Sequence, residues 1–133
     1  MRFVITGGGG FLGGKLAHAL LERGQLAGPE GRAQAISKIV LLDGAFPPHL
    51  PADPRLEAIA GDVSDAATVE RVVTPDTGSL FHLAAVVSGA AEADFDLGMR
   101  VNFEGTRLLL ARLRGCARPP RVVFASSVAA FGG

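Results

Sequence analysis

The sequence predicts an α/β domain built on a doubly wound parallel sheet, truncated after its fifth strand. Three observations carry that prediction. Short runs rich in aliphatic and β-branched residues recur along the chain, and each is followed by a crossover segment. Those runs are almost uniformly apolar rather than alternating, as expected of strands covered on both faces. The first run leads directly into six glycines within eight residues, Gly7 to Gly10, Gly13 and Gly14, and then into a helical pattern.

The elements follow in order. "RFVIT" (2–6) is a short strand closed by glycines. "FLGGKLAHALLER" (11–23) places Leu12, Leu16, Ala19, Leu20 and Arg23 at helical spacing, and Gly24 supplies the stop. "GQLAGPEGRAQAIS" (24–37), punctuated by Gly and Pro, is expected to be a polar loop. "KIVLLD" (38–43) is a second strand that ends on an acid. "GAFPPHLPADPR" (44–55) carries four prolines, which exclude regular structure. "LEAIAGD" (56–62) reads as a third strand, and "SDAATVERVV" (64–73) as a helix with Ser64 or Asp65 as its cap. "GSLFHLAA" (78–85) is a fourth strand. Phe95, Met99, Phe103, Leu108, Leu109 and Leu113 lie near helical spacing, so one long helix is expected over 91–115. "PRVVFASS" (120–127) is the fifth strand. The order β-α-β-loop-β-α-β-α-β calls for right-handed crossovers and a single domain over 1–133.

Composition narrows the function. Lys plus Arg and Asp plus Glu number 13 each, without a basic cluster, which argues against nucleic acid or an anionic membrane as partner. With no Trp or Tyr, stacking platforms for single strands would fall to eight scattered Phe. Cys116 is the only cysteine, so an intramolecular disulfide and a cysteine-based metal site are excluded. A plain thiol in a reducing compartment is expected. "FVIT" is too short for a signal peptide or a membrane span, and the chain reads as cytoplasmic.

The glycines lie between the first strand and the first helix, where a nucleotide's phosphates meet a helix N-terminus. The pattern is Thr6-Gly7-x-x-Gly10-x-x-Gly13. Gly7 would form the tight turn, Gly10 would admit the pyrophosphate, and Gly13 would let helix and strand pack closely. Gly8 and Gly9 are not required by this spacing. Asp43 closes the second strand, where a carboxylate accepts from both adenosine ribose hydroxyls and repels a 2′-phosphate. The other reading of Asp43 is a surface acid that caps a turn. No Arg follows it to welcome a phosphate, so NAD is preferred over NADP, with an NADP-linked reductase as the disfavoured reading.

Taken in order, "TGGGGFLG", "VLLD", "GDVSD", "HLAA", "VNFEGT" and "FASSVAAFG" resemble the motifs of the extended short-chain dehydrogenase/reductase superfamily. This is the group of NAD-dependent sugar epimerases, dehydratases and related dehydrogenases, built on an NAD-binding Rossmann fold. "HLAAVVSGAAEADFDLGMRVNFEGTRLLL" is most similar to the branch that contains D-erythronate dehydrogenase. The resemblance covers essentially the whole chain. It implies an oxidoreductase or isomerase of carbohydrate metabolism that acts by hydride transfer on a sugar, a sugar acid such as D-erythronate, or a nucleotide sugar.

The resemblance also implies residue roles. Cofactor contacts fall to Gly7, Gly10, Phe11, Leu12, Asp43, Asp62, Val63, Leu83, Ala84, Ala85 and Asn102. Asp62 and Val63 would contact adenine, although Asp62 also suits a helix cap. Ala84 and Ala85 let the dinucleotide lie across the sheet edge, and Val86 borders the nicotinamide side. Asn102 supports the active site, or is simply a polar residue on a helix. Gly105 and Thr106 read as close helix packing. Ser127 is the catalytic candidate, holding the substrate oxygen that undergoes hydride transfer. His82 reads as a core histidine. No metal is implied; a homodimer of the full-length protein, through the "VNFEGT" helix and the one after it, is.

The family's proton transfer uses a Tyr-x-x-x-Lys pair. This chain has no Tyr, its only lysines are Lys15 and Lys38, and the usual "VYG" is Ala130-Phe131-Gly132. The chain therefore reads as the N-terminal NAD-binding portion of a longer enzyme, inactive alone, with the C-terminal substrate region absent. A non-catalytic dinucleotide-binding sensor or scaffold is the alternative.

Overall fold

A computed structural model of the chain describes residues 1–132; Gly133, the last residue of the expected domain, lies outside them. Five strands form one parallel sheet: β1 (Arg2–Thr6), β4 (Lys38–Asp43), β5 (Leu56–Ala60), β6 (Thr77–His82) and β7 (Arg121–Phe124), in the order β5-β4-β1-β6-β7. In this order β1 is central, with β4 on one side and β6 on the other. Connections from β1 run toward β4, and those from β6 run toward β7. The crevice between β1 and β6 is thus the switch point of the sheet.

Strand alternation sends side chains to two separate cores. Phe3 and Ile5 of β1, with Ile39 and Leu41 of β4, meet Ala17, Leu20 and Leu21 of α1 (Phe11–Arg23). Val4, Val40, Leu42 and Leu80 meet Val69 and Val72 of α2 (Ala66–Val72) and Leu109 and Leu113 of α5 (Thr106–Arg114) on the other face. Covering both faces explains the uniformly apolar β1 and β4. β7 departs from that pattern, since Val122, Val123 and Phe124 stay 42–56% exposed.

Two expectations from the sequence are corrected. The 24–37 segment contains a small antiparallel hairpin, β2 (Gln25–Ala27) with β3 (Ala33–Ala35), rather than loop alone. Its turn is closed by hydrogen bonds from Gly28 N–H to the Arg32 carbonyl and from Gly31 N–H to the Gly28 carbonyl, with Gly31 left-handed at φ 78. The long helix expected over 91–115 is broken at Asp94. There the backbone is extended and Oδ1 accepts the Leu97 N–H at 2.9 Å, a cap that starts a new helix. A short α3 (Ser88–Ala93) precedes the break. After it, α4 (Phe95–Gly98) runs through a π-helical segment (Met99–Gly105) into α5. Of the two caps offered for α2, Asp65 serves: its Oδ2 accepts the Thr68 N–H at 2.8 Å.

The glycine loop is shaped by close approach. Gly7 is left-handed at φ 72, and a Cβ there would stand 2.8 Å from the Ala84 amide nitrogen. A Cβ on Gly13 would collide with the Gly7 carbonyl, so α1 packs directly on the turn. Gly8 and Gly9, unassigned by the motif spacing, are also confined. A Cβ on Gly8 would lie 2.6 Å from Leu41 Cβ, and one on Gly9 would strike the Ala45 carbonyl oxygen. Gly14, inside α1, has nothing within 4 Å. Substituting Gly8 and Gly14, two of the glycines outside the motif spacing, should therefore give opposite results. Gly8→Ala is expected to destabilise the chain by about 1–3 kcal/mol through overpacking. Gly14→Ala should stabilise it by about 0.5–1 kcal/mol through helix propensity. Urea unfolding of both variants checks the pair.

Candidate functional site: a cavity at the strand ends

A cavity of about 510 Å³ opens at the C-terminal ends of the strands. Each wall comes from the turn after one strand. Gly7 and Gly10 follow β1; Leu42, Asp43 and Gly44 end β4; Gly61, Asp62 and Val63 follow β5; Leu83 to Val86 follow β6. Val101 reaches in from the π-helical segment. Nine residues singled out from the sequence are thereby brought together: Gly7, Gly10, Asp43, Asp62, Val63, Leu83, Ala84, Ala85 and Val86.

Asp43 ties the glycine loop to β4. Its Oδ2 accepts the Gly9 N–H at 3.0 Å and its Oδ1 accepts the Gly44 N–H at 2.7 Å. It thus caps a turn and faces the cavity at once. A carboxylate has about four acceptor sites, so two backbone bonds leave capacity for the two hydroxyls of a diol. Asp62 bends its own loop: Oδ1 accepts from Ser64 N–H at 2.8 Å and Ser64 Oγ at 2.7 Å. The α2 cap is Asp65 instead, so the cap reading of Asp62 is set aside. Among the described residues, Asp62 Oδ2 has no hydrogen-bond partner.

The positive end of α1 also faces this space. Its cap, Gly10, supplies no side chain and its first turn holds no acid, so no side chain caps the first N–H groups. Asp43 and Asp62 are the only charged residues in the lining, which contains neither Arg nor Lys. An anion placed here would be held by backbone N–H groups and the helix dipole. These donors and acceptors fit a dinucleotide: a narrow glycine cradle for phosphates, a diol acceptor at Asp43, and an amine acceptor at Asp62.

Four other residues singled out from the sequence lie off the lining. Phe11 and Leu12, on the first turn of α1, are 76% and 63% exposed, and Lys15 Nζ sits 5.0 Å from the Phe11 ring centre. Asn102 grips the lining from behind. Its Oδ1 accepts the Val86 N–H at 2.8 Å and its Nδ2 donates to the Val86 carbonyl at 2.9 Å. The helix around it is π-helical, a widening often found at functional positions. Ser127 follows β7 and caps a 3₁₀ turn (Val128–Phe131), its Oγ accepting the Ala129 N–H at 3.2 Å. The structure does not bring Ser127 into the cavity lining.

Gly105 packs as the sequence suggests, since a Cβ there would approach Val63 Cγ1 to 2.7 Å. Thr106 does more than pack: its Oγ1 lies 2.8 Å from His82 Nε2 and donates to the Asn102 carbonyl at 2.7 Å. His82 is 3% exposed, and burial holds its imidazole below its ordinary pKa. Sequence spacing does not reveal this polar thread, because strand register joins Thr6 to His82 and the packing of α5 on the sheet joins His82 to Thr106. Among the described residues, no group of three or more His, Cys, Asp or Glu is placed to hold a metal, and no helix is long and apolar enough to cross a membrane.

The sequence and the fold both match known proteins. The model of the NAD dependent epimerase/dehydratase family matches residues 3–133. D-erythronate dehydrogenase from Cupriavidus necator is 52% identical over 133 residues, all of this chain and 40% of the relative. The enzyme of that name from Haemophilus influenzae is 38% identical over the same shares. The crystal structure of the nucleoside-diphosphate-sugar epimerase from Agrobacterium tumefaciens superposes with a TM-score of 0.83 at 39% identity, covering 97% of this chain and 38% of that one. The chain thus spans about 40% of the length of the curated relatives it matches. With the family match running from the first strand past the last, the chain belongs to the NAD dependent epimerase/dehydratase family.

Proposed function

We propose that the cavity at the strand ends binds NAD, and that residues 1–133 form the dinucleotide-binding portion of a longer oxidoreductase. Its substrate class is a sugar or sugar acid, with D-erythronate the first choice. The observation that carries this reading is the convergence of the Gly7–Gly10 cradle, the Asp43 carboxylate and the Asp62 carboxylate on one cavity. The substrate class is supported by the 52% identity to a D-erythronate dehydrogenase. When bound, NAD supplies the hydride acceptor.

In this reading, Gly7, Gly10 and the backbone at Phe11 and Leu12 hold the pyrophosphate. Asp43 accepts from the adenosine ribose, while Asp62 and Val63 receive the adenine. Leu83, Ala84 and Ala85 line the path across the sheet edge, and Asn102 steadies them through Val86. Ser127 orients the substrate oxygen. Its Oγ accepts from Ala129, which leaves the hydroxyl proton to donate to a substrate. Because the chain holds no Tyr, the acid–base group is placed outside these residues. The lone Cys116 suits a reducing, cytoplasmic setting. Phe95, Met99, Phe103 and Leu110 leave the α4–α5 helix with exposed apolar side chains, and we assign that surface to a homodimer contact. The alternative, a sensor that binds NAD without chemistry, is favoured only by the missing Tyr.

Calorimetric titration with both dinucleotides should show NAD bound at least tenfold more tightly than NADP. Asp43→Asn should weaken NAD by at least about tenfold, since it removes a charge-assisted acceptor. Tighter binding of NADP would sink the cofactor assignment. NADH formation from D-erythronate by the longer protein that carries this portion separates enzyme from sensor, because a sensor would bind NAD and leave the substrate unchanged; residues 1–133 alone should bind NAD and form no NADH. Phe103→Glu should convert a dimer to a monomer by light scattering without changing NAD affinity. An unchanged mass would exclude the helix contact.

A further inference from the structure

Behind the cavity floor, one imidazole connects the strand that carries the glycine loop to the helix that carries Asn102. The sheet register pairs Thr6 with His82 at the ends of β1 and β6. Alternation puts Thr6 on the same face as Val4 and His82 on the same face as Leu80, the face covered by α5. The two side chains therefore meet at one level. Thr6 Oγ1 and His82 Nδ1 lie 2.6 Å apart, and His82 Nε2 and Thr106 Oγ1 lie 2.8 Å apart.

Counting protons gives these bonds a direction. Thr106 has one hydroxyl proton and donates it to the Asn102 carbonyl. Its oxygen therefore accepts from His82 Nε2–H. A neutral imidazole carries a single proton, so Nδ1 is bare and accepts from the Thr6 hydroxyl. The Thr6 oxygen in turn accepts the Ala84 N–H at 3.2 Å. The surroundings suit the neutral ring, since Leu80, Leu109, Leu113 and Phe124 line the adjoining apolar groove. The result is a closed circuit: Ala84 N–H to Thr6, Thr6 to His82, His82 to Thr106, Thr106 to the Asn102 carbonyl. The Asn102 carboxamide then returns to both backbone groups of Val86. The Ala84–Val86 segment is held at both ends by one chain of hydrogen bonds.

We propose that His82, in its Nε2–H tautomer, is a positioning residue for the cofactor. By coupling Thr6 to Thr106 it fixes the Ala84–Val86 segment where that segment meets the dinucleotide. The proposal rests on the reading that the cavity takes NAD.

The test compares His82→Leu with His82→Asn in the full chain, reading NAD affinity by calorimetry. Leucine keeps bulk and offers no acceptor, whereas the asparagine carboxamide oxygen stands in for Nδ1 and accepts from Thr6. His82→Leu should weaken NAD about tenfold, and His82→Asn should recover much of that loss. Thr106→Val, which removes both bonds of the far hydroxyl and keeps the Thr6–His82 bond, should cost about threefold. If His82 serves only packing, the order reverses and leucine outperforms the buried carboxamide. That order, or equal affinity of wild type and His82→Leu, overturns the proposal. The ¹⁵N imidazole spectrum of the wild-type chain needs no variant and no ligand: Nε2 should be protonated and Nδ1 bare, and a proton on Nδ1 also overturns it. A wild-type chain that binds no NAD would sink the cofactor reading and the positioning role with it. Binding in wild type that survives His82→Leu sinks the positioning role alone.

Discussion

The rest of the structure depends on how closely the β1–α1 turn approaches the start of the β6–α3 connection. At the switch point β1 and β6 send their chains in opposite directions, and the crevice this leaves is only as wide as the backbones allow. Here Gly7 sits so near Ala84 that no side chain fits between them. That contact brings the N-terminus of α1 over the sheet edge. It also aligns Thr6 with His82, which fixes where α5 can lie. Cores on both faces then lock β1 in place, so the crevice cannot relax by sliding a strand.

Much of this was legible in the chain because it rests on local, periodic signals. "RFVIT" and "KIVLLD" have the bounds that the structure gives them, and α1 spans 11–23 as its pattern requires. The cavity was readable too, since residues that follow successive parallel strands must gather at one edge. What was illegible depended on contacts between distant segments or on local backbone bonding that leaves the apolar spacing unchanged. Gly8 and Gly9 look superfluous by spacing and are confined only because Leu41 and Ala45 lie beside them. The break at Asp94 hides inside a run of helix-compatible residues, and it emerges from one side-chain bond to Leu97. The π-helical widening leaves the apolar spacing unchanged, so Asn102 shows in the sequence only as an amide out of place.

His82 shows how a correct local reading stays incomplete. A histidine on an apolar strand is expected in the core, and it is buried there. Its importance lies in which hydroxyls it meets, and the partners come from residues 76 positions before and 24 positions after it. Polar threads of this kind are costly when half made, because each unpaired group would be stranded in apolar surroundings. Completed, they give neighbouring backbone a single arrangement.

Asp43 has a bearing on how the cofactor preference of this scaffold could be redesigned. Its negative charge and its acceptor geometry do separate things: under the proposed NAD reading the charge would oppose a phosphorylated ribose, while the oxygens anchor Gly9 and Gly44. Exchange for a small apolar residue would lift the repulsion and untie the glycine loop in one step, trading selectivity for a slack cradle. A neutral side chain that keeps an oxygen near Gly9 would separate the two. In that reading, loop order and nucleotide choice could be tuned independently, even though both trace to one residue.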